Sequence, residues 1–420
     1  MTRRFWVETL GCPKNHVDSD KLTGTLLADG LVPAETPEEA DLVVVNTCAF
    51  VEEARQESID TILGLSDRSA SGAELVVTGC LAERYGDDLA EALPEADAVV
   101  GFGVPVTLGP TRSPASPKAP AFDLLNLPRP APTAPWAYVK IAEGCDRACG
   151  FCAIPSFRGP QRSRTEDSIV TEVEELAAAG VREVVLVAQD LAAYGRDQGQ
   201  GSRRIVPLLE AVAARVDRAR LLYLYPSDLT EGLIDAMCAT GVPYFDLSLQ
   251  HVSRPLMRRM RRWGDGERFL ERIDAIRARV PEAAFRSNFI VGYPGETEAD
   301  HDELLRFVEA AQLDWVGFFP YSREDGTYAA DLDGQVDPGL MGERLAELRE
   351  LQDPITATRR DDLIGTTIVV LVDRPGVGRS HREAPEIDGV VHLPTELAVG
   401  SLVKVRVTGA AGPDLDAVPG

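Results

Sequence analysis

The sequence has no long apolar run. No stretch approaches the roughly 20 consecutive apolar residues that a helix needs to cross a bilayer. Between Met1 and Leu10 there are two arginines but neither an apolar core nor a cleavage site, so this segment does not resemble a signal peptide. Hydrophobic residues at 44% and charged residues at 26% are ordinary for a globular chain. The sequence therefore predicts a cytoplasmic protein that does not enter a membrane.

Cysteine is scarce and odd in number. Seven cysteines in 420 residues are too few for a disulfide scaffold. In a reducing compartment, spaced cysteines indicate metal binding or catalysis instead. Cys238 stands inside a helical pattern and is predicted to be a core residue, which leaves six cysteines whose positions carry the interpretation.

Basic residues are in deficit, with 43 Lys and Arg against 67 Asp and Glu, a net charge of −24. Residues 1–103 hold 7 basic and 20 acidic residues, and residues 360–420 hold 6 and 9. Such acidity repels nucleic-acid phosphates and favours a basic partner, so direct nucleic-acid binding is not expected. The exception is Arg254 to Arg262, with five arginines. Two interpretations of that stretch stay open, a solvated basic face and a role in binding substrate or cofactor.

Four segments differ in pattern. Residues 3–103 alternate β-rich and amphipathic stretches, which predicts a doubly wound parallel sheet. Nine prolines between residues 105 and 135 predict a linker over 104–135. Residues 136–361 contain six strand–helix units, too few for a closed eight-stranded barrel, so a partial barrel is expected. β-branched runs over 362–420 predict a small all-β barrel.

The expected elements can be stated by position. The N-terminal strands are predicted at Phe5–Thr9, Leu42–Asn46, Leu75–Thr78 and Ala98–Gly101, with helices such as Asp18–Ala28, Glu52–Leu65 and Ala82–Ala92 between them. The central strands are predicted at Ala137–Ile141, Glu183–Ala188, Arg220–Leu224, Tyr244–Leu249, Ala284–Val291 and Trp315–Phe319. The C-terminal strands are predicted at Thr367–Asp373, Gly389–Leu393 and Ser401–Thr408.

One group of cysteines is compact. Cys145, Cys149 and Cys152 form a C-x3-C-x2-C loop directly after the first predicted barrel strand. Three thiolates around a four-iron cluster leave one iron open, as a substrate-binding cluster requires. The alternative is structural zinc, which almost always takes four protein ligands. The next Cys or His residues are Cys238 and His251, neither near the loop in sequence.

A second group is dispersed. Cys12, Cys48 and Cys80 each lie just past the end of a predicted strand, 36 and 32 residues apart. The carboxyl ends of parallel strands share one edge of a sheet, where ligands collect, so the three cysteines are expected to converge as a second ligand set. The alternative is three ordinary buried cysteines.

At these residues the chain resembles a known family. The loop of Cys145, Cys149 and Cys152, with Phe151 in its aromatic place, is similar to the signature of the radical S-adenosylmethionine (radical SAM) superfamily. Nearly the whole chain resembles a methylthiotransferase, with an N-terminal cluster domain, a radical SAM core and a C-terminal TRAM domain. Two subfamilies compete, one that modifies a transfer RNA adenosine (MiaB-like) and one that modifies an aspartate of small-subunit ribosomal protein twelve (RimO-like). The motifs Thr9-Leu-Gly-Cys-Pro-Lys-Asn-His-Val-Asp-Ser-Asp and Val377-Gly-Arg-Ser-His-Arg-Glu-Ala-Pro-Glu-Ile-Asp-Gly-Val-Val are similar to the RimO forms.

The resemblance implies two [4Fe–4S] clusters and S-adenosylmethionine as cofactors. The cluster on Cys145, Cys149 and Cys152 would bind and cleave S-adenosylmethionine after receiving one electron from an external reductant. The resulting radical would take hydrogen from the aspartate β-carbon, and a cluster on Cys12, Cys48 and Cys80 would donate sulfur to it. The implied partner is the ribosomal protein, free or in its subunit. An iron–sulfur electron carrier or scaffold is the alternative of another class.

Other site residues are predicted from strand ends, where contacts to the cofactor should lie. They are Gln189, Ser248 and Gln250 at strand ends and Arg286 on the fifth strand, together with Phe151 of the cysteine loop. For the polar members, a structural hydrogen bond or solvent exposure is the alternative. No catalytic residue is assigned beyond the six cysteines, and Asp146 and Arg147 are predicted to be solvated loop residues.

Overall fold

The computed structural model describes residues 3–68, 72–106, 123–199 and 204–420. A doubly wound parallel sheet, a partial barrel and a small closed β-barrel follow one another along the chain, which confirms the predicted fold class. Most of the proline-rich segment predicted as a linker, residues 107–122, lies outside the described residues. Within the described ranges, no helix combines the length and apolar character that crossing a membrane requires.

The N-terminal domain is a five-stranded parallel sheet in the order β2-β1-β3-β4-β5. Its central strand is buried along its whole length, as parallel strands covered on both faces are. The elements are β1 (Arg4–Thr9), α1 (Pro13–Ala28), β2 (Val32–Pro33), β3 (Leu42–Thr47), α2 (Glu52–Arg68), β4 (Glu74–Gly79), α3 (Cys80–Ala92) and β5 (Ala98–Val99).

Two helices of this domain begin earlier than predicted. Helix α1 begins at Pro13 rather than Asp18, because proline at the first helical position already has the required φ and lacks only a donor that would have no partner there. Helix α3 begins at Cys80 rather than Ala82, directly after Gly79. Both starts place a cysteine at the N-terminus of a helix.

The central domain contains six parallel strands with helices outside them. Strands β6, β9 and β10 form one sheet and β11, β12 and β13 another, and a parallel bridge from Leu224 to Leu247 joins them into an open barrel. The elements are β6 (Trp136–Lys140), β7 (Ala142–Glu143), α4 (Ile154–Arg158), β8 (Arg162–Ser163), α5 (Glu166–Ala178), β9 (Glu183–Val187), α6 (Ile205–Ala213), β10 (Arg218–Leu221), α7 (Glu231–Ala239), β11 (Tyr244–Gln250), α8 (Arg254–Arg259), α9 (Gly266–Arg279), β12 (Ala284–Val291), α10 (Glu298–Ala311), β13 (Trp315–Pro320) and α11 (Pro338–Asp361). The predicted strand Arg220–Leu224 instead ends at Leu221, because Tyr223 takes a positive φ of 64°.

The inner face of the barrel has its own apolar cluster. It takes side chains from the barrel strands, from the first turns of α1 and from the C-terminal domain, among them Val17, Tyr138, Val185, Tyr244, Ala284, Trp315 and Ala384. The larger core lies between the outer face of the strands and the surrounding helices. Helix α1 therefore closes part of the open barrel.

The described end of the proline-rich segment is packed against both neighbouring domains. Leu124 and Leu125 are buried. A Cβ atom on Gly24 of α1 would lie 2.8 Å from the carbonyl carbon of Pro128, so only glycine permits this approach. Arg129 forms ion pairs with Asp20 of α1 and with a glutamate of α5. These contacts fix the position of α1 relative to the barrel.

The C-terminal domain is a closed barrel with the strand order β14-β15-β16-β18-β17. Two of its strands were not predicted, because β15 is only three residues long and β18 alternates buried residues with aspartates such as Asp414 and Asp416. The strands are β14 (Thr367–Arg374), β15 (Val377–Arg379), β16 (Val391–His392), β17 (Leu402–Ala411) and β18 (Asp414–Pro419).

A segment of this domain closes the base of the central barrel. The Tyr138 hydroxyl donates to the carbonyl of Pro385 at 2.9 Å, and the Trp315 indole donates to the carbonyl of Arg382 at 2.7 Å. The Tyr244 hydroxyl donates to Asp388 at 2.6 Å. These aromatic residues lie on the amino-terminal halves of their strands, so the base is opposite the edge that carries the cysteine loops.

A buried ion network holds the two barrels together. The Glu183 carboxylate lies 2.7 Å from the Arg220 guanidinium and 3.2 Å from that of Arg379, and Arg218 lies 3.9 Å away. Burial alone would raise the pKa of Glu183, but Arg379, Arg220 and Arg218 lower it from 4.5 to about 2. Arg218 also donates to backbone carbonyls of the C-terminal barrel, which makes this network an anchor between domains.

We expect Glu183→Gln to destabilise this interface. The carboxylate contributes stability that is fully present above about pH 4.5 and is lost as the pH falls towards about 2, because its pKa is lower in the folded protein. Its loss leaves buried guanidinium groups without their anion, so the free energy of unfolding at neutral pH should fall by about 3–5 kcal/mol. Urea unfolding at neutral pH and at about pH 3 measures both effects.

Glu174→Gln is the matched control. Glu174 pairs with Arg215 at 2.7 Å, but both side chains are substantially exposed, so its loss should cost at most about 1 kcal/mol. Equal destabilisation by the two substitutions would contradict the anchoring role of Glu183.

Candidate metal centres

The structure brings the three dispersed cysteines together at one edge of the N-terminal sheet. Cys12 precedes α1, Cys48 follows β3 and Cys80 begins α3. Burial, together with the nearby thiols of Cys12 and Cys80, raises the pKa of Cys48 to about 12. Cys12 also raises the pKa of Cys80. Each thiol is therefore within electrostatic reach of the other two. We call these three cysteines the N-terminal triad.

Glycine precedes two of these cysteines for a steric reason. Gly11 has a φ of +91°, and a Cβ atom there would lie 2.9 Å from the Cys48 sulfur. Gly79 has a φ of +94°, and its Cβ atom would lie 2.5 Å from the backbone nitrogen of Thr47. Only glycine accepts both the conformation and the contact. The two glycines therefore allow the three strand ends to approach closely.

Positive charge surrounds the N-terminal triad. Burial opposes ionisation of Cys12, but the cations of Lys14 and Arg158 and nearby backbone N–H groups lower its pKa below the ordinary value. Burial raises the pKa of Cys80, and the Arg158 guanidinium opposes this by donating to its sulfur at 3.0 Å. Cysteines at helix N-termini and beside cations favour the thiolate, which is the form that binds metal.

Cys145, Cys149 and Cys152 also form a group, which we call the loop triad. Burial is the main cause that raises the pKa of Cys145 to about 11 and that of Cys152 to about 12, and the nearby thiol of Cys149 contributes to both shifts. The backbone N–H of Arg147 donates to the Cys145 sulfur at 3.4 Å. Arg262, at the far end of the arginine-rich stretch, donates to the Cys149 sulfur at 3.2 Å.

The two triads have the chemistry that iron–sulfur clusters require. Each offers three free thiols and at least one charged hydrogen-bond donor to sulfur, the kind of outer contact that tunes a cluster. Among the described residues, no three His, Cys, Asp or Glu side chains are arranged around a single metal ion. A four-iron cluster does not require the three thiols to converge on one ion, because each thiolate binds a different iron. The residues present therefore fit a cluster at each triad.

A buried ion network connects the triads. The Arg158 guanidinium lies 3.0 Å from the Asp18 carboxylate of α1 and 3.0 Å from the Glu143 carboxylate of the central domain, besides its contact with Cys80. Lys140 pairs with both carboxylates. Burial would raise the pKa of Glu143, but Arg158 and Lys140 lower it to about 2. Because Glu143 lies two residues before Cys145, one arginine links a ligand of one triad to the loop of the other.

The structure places the predicted cofactor contacts as follows. Phe151 is half-buried against the core of the central domain. The Gln189 amide donates to Glu143 at 2.6 Å, while its oxygen is buried without a partner in the described structure. The backbone carbonyl of Ser248 accepts from Arg262, and Gln250 has a positive φ of 73°. Arg286 is already engaged, at 3.1 Å from Asp246 and 3.5 Å from Asp388.

One prediction about the loop is wrong. Arg147 is not a solvated loop residue, since its guanidinium pairs with Asp190 and Asp228 and stacks on the Tyr225 ring at 3.9 Å. Asp146 is exposed, as predicted, and accepts a hydrogen bond from the backbone N–H of Gln161 at 3.0 Å. Both contacts come from segments distant in sequence. They hold the loop triad against neighbouring strands.

Within the arginine-rich stretch from Arg254 to Arg262, some arginines form a solvated face and others contact the site. Arg254 and Arg258 are exposed, as a solvated face requires. Arg262 reaches Cys149, and Arg261 stacks on the Tyr328 ring at 3.6 Å. Cys238 lies on α7, half-buried against the core and away from both triads, consistent with the predicted core role.

The most important residues that the sequence did not reveal are Arg158, Glu143, Lys140, Asp18 and Lys14. Their partners are up to 143 positions away in sequence, so no local pattern indicates them. Lys14 lies inside the first cysteine motif, and its position two residues after Cys12 was the one available signal.

Family models match three parts of the chain. Residues 4–101 match the uncharacterized protein family UPF0004, residues 139–308 match the radical SAM superfamily, and residues 364–419 match the TRAM domain.

Relatives match nearly the full length. The chain is 43% identical to a protein of Kineococcus radiotolerans named ribosomal protein uS12 methylthiotransferase RimO, covering 100% of this chain and 97% of that protein. Proteins of the same name from Cutibacterium acnes and Streptomyces coelicolor are each 42% identical, covering 98% and 100% of this chain and 97% of each relative. Among solved structures, the radical SAM methyltransferase TsrM of Kitasatospora setae has a TM-score of 0.53 at 16% identity, covering 95% of this chain and 82% of TsrM. This last likeness shows the fold alone.

Proposed function

The chain belongs to the RimO family of ribosomal protein uS12 methylthiotransferases, and from this premise we propose that it replaces one hydrogen on the β-carbon of an aspartate in ribosomal protein uS12 with a methylthio group. The enzyme is a radical SAM methylthiotransferase. Because the substrate is ribosomal, we propose that the reaction takes place in the cytoplasm. We propose two [4Fe–4S] clusters, one on each triad, with S-adenosylmethionine bound at the loop triad.

The observation that carries this proposal is the buried ion network of Arg158, which links Cys80 to Glu143 beside the loop triad. Arg158 donates to the sulfur of Cys80 and lies only six residues after Cys152. A reaction that removes hydrogen from a carbon and then delivers sulfur to the same carbon needs both sites within reach of that carbon. An electron carrier or scaffold has no such requirement, so the arrangement favours the enzyme.

The bound cofactors would supply a carbon-centred radical at the loop triad and transferable sulfur at the N-terminal triad, and S-adenosylmethionine would also be the source of the methyl group. The protein's own side chains position these groups. Arg147, through Asp190 and Asp228, fixes the loop of Cys145 at the carboxyl edge of the barrel strands. Phe151, Gln189, Ser248 and Gln250 are the proposed contacts to S-adenosylmethionine. Arg286, predicted with them, is engaged by Asp246 and by Asp388 of the segment that closes the base.

The barrel interior must also keep a reactive radical away from water. Its base is closed by the hydrogen bonds from Tyr138, Trp315 and Tyr244 to the C-terminal domain. Helix α1 covers part of the open side through Val17. The substrate side chain would therefore enter at the edge opposite this base, where the loop triad lies.

The direct test uses anaerobic protein reconstituted with iron and sulfide. The protein is incubated with dithionite, S-adenosylmethionine and purified uS12, and intact-protein and peptide mass spectrometry then follow uS12. We expect one aspartate to gain a methylthio group in place of one hydrogen, together with formation of deoxyadenosine.

Transfer RNA serves as the competing substrate in a parallel reaction. The net acidic charge of residues 360–420 makes phosphate binding by the C-terminal barrel unfavourable, so no methylthioadenosine should form in the RNA. Modification of transfer RNA with uS12 left unchanged would replace the proposed substrate with the MiaB-like one. Absence of deoxyadenosine in both reactions would contradict the radical mechanism itself.

A further inference from the structure

Lys14 is a cation without an acidic partner beside the N-terminal triad. It is the second residue of α1, two positions after Cys12, and is half-buried. No carboxylate of the described residues lies within 4.0 Å of its ammonium group, whereas Lys21 pairs with Glu172 at 2.9 Å and Lys140 with Glu143 at 2.8 Å. The neighbouring lysines of this interface are thus neutralised, and Lys14 is not.

An aromatic ring fixes where this ammonium group lies. Its nitrogen is 3.6 Å from the centroid of the Tyr223 ring, a cation–π contact. Tyr223 belongs to the inner-face cluster of the barrel, so Lys14 lies at the barrel interior. Tyr223 has a positive φ of 64°, which is a strained conformation for a bulky residue, and its backbone N–H donates to Asp246 at 3.0 Å. The protein thus maintains a strained residue in contact with Lys14.

The nearby acidic groups of the interior are already engaged by another cation. Asp246 and Asp388 both pair with Arg286, and Asp388 also accepts from Tyr244. Neither carboxylate is within ion-pair distance of Lys14. Apart from the thiol of Cys12, no acidic group of the described residues lies beside Lys14, and a half-buried cation is stabilised when a carboxylate approaches it. The barrel interior therefore presents one cation that no carboxylate of the described chain neutralises, next to the N-terminal triad.

We propose that Lys14 binds the side-chain carboxylate of the substrate aspartate and thereby positions its β-carbon beside the N-terminal triad. This inference rests on the proposed function. The carboxylate is bonded directly to the β-carbon, so fixing one places the other, which is the positioning that a sulfur transfer needs. An adenosine base has no carboxylate, so the same contact would help to select a protein substrate over transfer RNA.

The test is a double-mutant cycle on the reconstituted holoenzyme. The enzyme variants are wild type, Lys14→Met and Lys14→Arg, with Lys404→Met as the control for loss of an exposed lysine on the C-terminal barrel. The ligands are uS12 and a uS12 variant in which the modified aspartate is replaced by asparagine. Dissociation constants are measured anaerobically, together with iron content and affinity for S-adenosylmethionine.

We expect Lys14→Met to weaken binding of uS12 about 10- to 100-fold, the usual range for losing a hydrogen bond to a charged group. It should leave binding of the asparagine variant unchanged, and Lys14→Arg should restore part of the loss. Lys404→Met should change neither. Iron content should equal that of wild type, because the three thiols remain.

Three results would overturn the inference. Equal loss for uS12 and its asparagine variant would mean that Lys14 does not recognise the carboxylate. Weaker binding of S-adenosylmethionine with uS12 binding intact would assign Lys14 to the cofactor's carboxylate. Loss of iron would assign it to the cluster. The proposed function has a separate test, since wild type must methylthiolate uS12 whatever the role of Lys14.

Discussion

Replacing any cysteine of the loop triad with alanine should abolish cleavage of S-adenosylmethionine, whereas replacing any cysteine of the N-terminal triad should abolish only methylthio transfer. The reason is that each cluster needs its three thiolates and the two clusters supply different groups. Cys145→Ala should therefore yield no deoxyadenosine above the cofactor-free background. Cys48→Ala should still yield deoxyadenosine but no modified uS12. Liquid chromatography of deoxyadenosine and mass spectrometry of uS12 measure both products in one reaction.

Cys238→Ala is the matched control for these substitutions. Cys238 is a free, half-buried cysteine on α7 that belongs to neither triad, so its removal should leave both products unchanged. If Cys48→Ala also stops deoxyadenosine formation while the loop cluster keeps its spectrum, the division of roles between the triads is wrong.

Arg158→Gln should uncouple cleavage of S-adenosylmethionine from methylthio transfer to uS12. The substitution removes the guanidinium that joins Cys80, Asp18 and Glu143 and leaves Lys140 as the cation paired with the two carboxylates. Breaking such a buried network typically costs about 3–5 kcal/mol of stability. Here the loss should weaken the packing of the N-terminal domain against the central domain. A displacement of about 1 Å at a reacting centre can cost about 100-fold in rate. We therefore expect the ratio of methylthiolated uS12 to deoxyadenosine to fall by about two orders of magnitude.

Arg162→Gln tests whether this effect is specific. Arg162 is four residues further along and pairs with Asp123 at 2.7 Å, but its side chain is 49% exposed, so the pair contributes little. The product ratio should stay at the wild-type value in Arg162→Gln. An unchanged ratio in Arg158→Gln, with both clusters present, would show that Arg158 does not position the triads.

The fold could be predicted because its signals are local. The strand of residues 284–291 was predicted at its observed bounds, since a buried β-rich run can be recognised over a few residues. The convergence of Cys12, Cys48 and Cys80 followed from one topological rule about parallel strands. Short or acidic strands such as β15 and β18 lacked these signals.

The interior of the site could not be predicted because its contacts are distant in sequence. Arg158 meets Cys80 across 78 positions and Asp18 across 140. Arg147 was expected in solvent because its loop is polar, yet partners from two other strand ends bury it in part. Lys14 belongs to a motif that was recognised for its cysteine, while its contact with Tyr223 depends on how α1 docks on the barrel.

The central claim is that the chain holds two four-iron clusters, one on each triad. Iron analysis of the anaerobically reconstituted protein, combined with Mössbauer spectroscopy, tests it most directly. Two such clusters predict about eight irons per chain, falling to about four in Cys48→Ala and in Cys145→Ala. About four irons in the wild type, or zinc in place of iron at either triad, would contradict the claim.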